Sequence, residues 1–96
     1  MKLGTLTAAT TVRDAGIEAM DALNALVLEM SATLPDAESK ALRLAVARSM
    51  DSILENLVNP ALREFPELDV DESTWGEIAT TRARARLSAS TEKPSA

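Results

Sequence analysis

Apolar and polar positions recur along most of the chain with a period near 3.6 residues, the spacing that lays one stripe along an α-helix. From about Thr11 to Thr33, at 100° per residue, Val12, Gly16, Ala19, Met20, Leu23, Leu26, Val27, Met30 and the following Leu34 fall in one wide sector. Asp14, Glu18, Asp21 and Glu29 gather on the other side. Ile17 and Leu28 lie outside the main sector, so the apolar surface is wider than one partner helix would cover. Leu34-Pro35-Asp36 ends this helix, because proline disfavours helical geometry in the residue before it. Asp36 can cap the next one, with Glu38 also near its positive end.

The second pattern spans about Asp36 to Val58. Leu42, Val46, Ser49, Met50, Ile53, Leu54 and Leu57 share one face, and Lys40, Arg48, Asp51 and Glu55 the other. Leu44 and Val58 sit among the charges. So short a connection predicts two antiparallel neighbours, each roughly 33 Å long at about 1.5 Å per residue. Asn59-Pro60 reads as a restart, a capping side chain followed by proline at the first helical position. It predicts a short helix over Ala61–Phe65, closed by Pro66. Residues 67–73 read as an extended connection. A third helix is expected from Asp71–Thr74, where Thr74 and Glu77 have capping-box spacing, to about Leu87. The predicted organisation is a flexible arm over 1–10, one helical domain over 11–87 and a disordered tail over 88–96.

Composition supports an all-α reading. Of 96 residues 46% are hydrophobic, glycine and proline number only 3 and 4, and two residues are aromatic. Alanine and leucine dominate, which favours helix over sheet. So few large apolar side chains leave a thin margin over chain entropy for a monomer. With Ile17, Leu28, Leu44 and Val58 as surplus apolar surface, the expected fold is an antiparallel helical hairpin plus a short and a third helix. Two copies are expected to pair into a dimeric bundle through those four residues.

The chemistry expected is limited by what is missing. There is no His and no Cys, so the usual acid–base, thiol, zinc and haem groups are lacking. The carboxylate run Glu67, Asp69, Asp71 and Glu72 has neither the glycine nor the spacing of a calcium loop. No glycine-rich phosphate loop occurs. An enzyme, a cofactor and a metal are therefore not expected. No uninterrupted apolar run is long enough for a membrane span and no secretory signal is visible. A cytoplasmic location follows as the expectation.

Charge is the least even property. The net charge of −5 hides −5 over residues 67–81 and +3 over residues 82–96. Acids at the start of a helix and bases at its end complement the helix dipole without any ligand. A sharper reading places Arg82 and Arg86 on one face, four residues apart, with Trp75 on the same side. Those three would form a docking face for an acidic protein partner. Nucleic acid is a weaker expectation, since three arginines on an acidic chain make a small electrostatic footprint. The function expected is a non-enzymatic protein–protein interaction module. It would be an adaptor, regulator or stoichiometric inhibitor, of the kind a phage or mobile element directs at a host protein. A nucleic-acid-binding regulator using Arg82–Arg86 and a structural subunit of a helical assembly are the alternatives.

Overall fold

The structure, a computed structural model, describes residues 1–92, and every regular element among them is helical. α1 spans Leu6–Ser31. It starts earlier than its apolar pattern, because Thr5 adopts extended backbone and its Oγ1 accepts a hydrogen bond from the Ala8 N–H at 3.1 Å. The hydroxyls of Thr10 and Thr11 donate to the carbonyls of Leu6 and Thr7. Threonine polarity is thereby absorbed inside the helix. Residues 1–10 are thus not a free arm. Glu64 Oε2 accepts from the N–H of Leu3 at 2.9 Å and of Gly4 at 3.1 Å, and Gly4 takes the φ of +87° that a residue without Cβ tolerates.

After Ala32–Pro35, α2 runs over Asp36–Ile53, with Pro35 rather than Asp36 at the cap position. The expected break at Asn59-Pro60 does not occur. A π-helical turn, Leu54–Val58, joins α2 directly to α3, Asn59–Glu64. Proline has no N–H to return to the carbonyl four residues back, and its ring crowds that carbonyl. A widened turn relieves both conflicts, and the Asn59 N–H donates to Leu54 O, five residues back. The second rod therefore extends from Asp36 to Glu64. Phe65 leaves the helix just before Pro66, Pro66–Leu68 form a 3-10 turn, and α4 follows over Glu72–Glu92. Its cap is Asp71, not Thr74: Asp71 Oδ1 accepts from the Thr74 N–H at 3.0 Å and from the Ser73 and Thr74 hydroxyls. Helix continues past Leu87 through residues 88–92 of the expected tail, and 93–96 lie outside the described residues.

The core has two centres. Ile17, Met20, Val58 and Ala79 form one, flanked by Met50, Ile53, Leu54, Leu62, Trp75 and Ile78. Ala9, Ala61 and Leu68 form the other, with Leu3, Leu62 and Phe65 against it. Two of the residues expected to mediate self-association are corrected here: Ile17 is 2% exposed and Val58 0%, both inside the single chain. Gly16 makes this possible, since a Cβ there would stand 2.9 Å from Val58 Cγ2. The width of the α1 apolar surface also has its reason. α1 packs against the second rod and against α4, so its face serves two neighbours.

That coverage is one-ended. The buried residues of α1 stop at Met20, and α2 buries only Ser39 and Val46. The radius of gyration is 15.6 Å, against about 12.5 Å for a compact domain of this length. Accessible surface is 6784 Å², where a monomer of this mass typically exposes about 5,300 Å².

Candidate functional site: the α1–α4 seam and the cleft beneath Trp75

Arg82 and Arg86 do share a face of α4, one turn apart, and that face meets α1. Glu18 Oε1 accepts from Arg82 Nε at 3.0 Å and from Arg86 Nη2 at 2.9 Å. The Glu18 side chain is 13% exposed, the Arg82 side chain 33% and the Arg86 side chain 71%. Two guanidinium groups thus converge on one half-buried carboxylate. The arginines expected to face an acidic partner have an acidic partner within the chain. Trp75 lies at the opposite end of the seam, half-buried against the Ile17 cluster. The structure therefore places Trp75, Arg82 and Arg86 along the part of α4 that closes over α1, with the Arg86 side chain still largely exposed.

Beside Trp75 a cleft of about 360 Å³ opens between α1, α2 and α4. Ile17, Met20, Met50 and Trp75 supply its apolar lining, and Asp21, Asn24 and Glu72 its polar edge. A volume of this order lies at the small end of ligand and side-chain sites. The remaining surplus apolar residues are far from any cover. Leu28 is 71% exposed and Leu44 53%. Leu44 sits in a shallow apolar depression on α2 with Ala37, Ala41 and the stems of Lys40 and Arg43.

Two structural residues escaped the pattern reading. Arg13 is 8% exposed. Its Nη1 donates to Leu68 O at 2.6 Å, while Nε and Nη2 each lie 2.8 Å from Asp14 Oδ1. It pins the 3-10 turn to α1. A signal was present, since Arg13 falls between Met20 and Ile17 on the wheel, a charge inside an apolar face. Glu64 had no such signal, because its work is done on backbone N–H groups some 60 residues away.

The acidic connection carries no metal-binding arrangement. No group of three or more ligand-type side chains that could hold a metal ion occurs among the described residues. Within it, Asp71 has its carboxyl held below the ordinary aspartate pKa, first by the Thr74 hydroxyl, then by the Thr74 N–H and the Ser73 hydroxyl. That is the signature of a helix cap. No helix among the described residues is long and apolar enough to cross a membrane. No family model, curated protein or solved structure matches the chain.

Proposed function

We propose that this chain is a non-enzymatic protein–protein interaction module, a hairpin of two long rods that pairs with a second copy into a helical bundle. One observation carries the reading. Leu28 lies three turns beyond Ile17 on the same line of α1, about 16 Å along the axis. α4 covers that line at Ile17, which is 2% exposed, and is absent from it at Leu28, which is 71% exposed. Over the whole chain, the exposed end of α4 included, the surface exceeds that of a typical monomer by about 1,500 Å². A second copy laid on the distal halves of α1 and α2 would complete what α4 leaves bare. Leu28 and Leu44 are the residues assigned to that contact.

A stoichiometric regulator or inhibitor fits this surface better than a nucleic-acid binder. Two of the three α4 arginines direct their charge at Glu18, and the net charge of −5 opposes phosphate. Sedimentation across a concentration series tests the pairing. The expected outcome is a species of twice 10.2 kDa that reverts to monomer in Leu28→Glu with Leu44→Glu. A monomer at every concentration overturns it, and growth beyond two copies would favour the structural-subunit reading instead.

A further inference from the structure

The cleft beneath Trp75 combines two chemistries. Its lining is Ile17, Met20, Met50 and the indole, while Asp21 on α1 and Glu72 on α4 stand at its edge. No lysine or arginine lines it. Among the described residues neither carboxylate has a hydrogen bond or an ion pair. Glu18, one turn before Asp21, holds two arginines. The acidic edge of α1 is thus neutralised at one turn and left open at the next, beside an aromatic ring.

Gly76 is an independent observation. Glycine inside a helix destabilises it, and at Gly16 the close approach of Val58 requires that. At Gly76 an added Cβ would meet nothing within 4 Å. Packing within the chain does not ask for glycine there. The missing side chain keeps the wall of the cleft low, next to Trp75.

We infer that this cleft receives an arginine or lysine side chain from a basic segment of a protein partner. The aliphatic stem lies along Met20, Met50 and Ile17, and the cationic head meets the indole face and the two carboxylates. A cleft of about 360 Å³ accommodates one such side chain. A neutral apolar side chain would gain nothing from the two exposed carboxylates, and an anion would be repelled. The inference rests on the chain being a protein-binding module and adds the chemistry of what it binds. It does not require the second copy.

Trp75 is the single tryptophan, so its fluorescence reports on the cleft directly. The test titrates the full chain with octa-arginine and with an octa-citrulline peptide of equal length and no charge. A saturating change is expected with octa-arginine alone. Asp21→Asn with Glu72→Gln should weaken it about tenfold, the sum of two exposed charge pairs. Asp51→Asn with Glu55→Gln makes the same change of net charge elsewhere, on exposed positions of the second rod, and should leave the affinity nearly unchanged. Gly76→Leu fills the cleft and should abolish the response while circular dichroism stays helical. An equal response to citrulline, or undiminished binding by the Asp21/Glu72 or Gly76 variant, overturns the proposal. So does a fluorescence change that follows protein concentration alone and disappears in Lys40→Glu with Arg43→Glu, since the occupant would then be a second copy. A monomer that still titrates removes the pairing and leaves the cleft; a dimer with a flat titration does the reverse.

Discussion

Arg13 satisfies the Leu68 carbonyl from inside the core. Arg13→Met keeps much of its bulk and removes the donors, leaving a buried carbonyl unpaired. The expected loss is about 2–4 kcal/mol, read as a lower urea midpoint; an unchanged midpoint would show the contact to be dispensable. Gly16 and Gly76 should respond oppositely to alanine. Gly16→Ala gains helix propensity but forces a methyl against a fully buried Val58. A net destabilisation of about 1–2 kcal/mol follows. Gly76→Ala meets open space and should stabilise by about 0.5–1 kcal/mol. Equal effects at both sites would contradict the packing described. Arg13 left a signal in the sequence, a charge beside Met20 and Ile17, that the stripe pattern passes over. The difference between the glycines left none, because it depends on what the fold brings within a few ångströms of each.

At the scale of elements, the long helices were readable because their apolar stripes are long and regular. Their ends were less so. Thr5 and Asp71 cap through single side-chain oxygens, a signal any threonine or aspartate carries. Pro60 does stand in the first turn of α3, but the chain reaches it through the Leu54–Val58 π turn without the expected break, because packing of Val58 and Ala61 on α1 outweighs the lost hydrogen bond. The Asp71 cap has a pH signature. Its folded-state pKa lies below the unfolded one, so its contribution is complete above the ordinary aspartate range. That contribution is lost as pH falls through this range and on through the lower folded value. The Thr74 amide should therefore shift and exchange faster as the pH is lowered there, by NMR. Asp71→Asn retains an acceptor oxygen and should remove the pH dependence while keeping the cap. A Thr74 amide equally pH-dependent in that variant would mean another group controls the turn.

For the whole molecule, helix content was evident from the sequence and the landing place of α4 was not. Its large apolar residues are few, and only the fold reveals that Trp75, Ile78 and Ala79 close on Ile17 while Leu28 stays 71% exposed. Stability should be distributed accordingly, because regions with few buried contacts open locally at low cost. Hydrogen exchange on dilute protein is expected to show weak protection over residues 22–31 and 36–45, and strong protection over 12–20 and 46–58. Raising the protein concentration should protect the first set selectively, since only those segments gain a neighbour in the proposed pair. Leu28→Glu should keep the dilute pattern at every concentration. Uniform protection in dilute solution would mean that the distal half of the rods is stable alone, and the argument for a second copy from exposed surface would then fail.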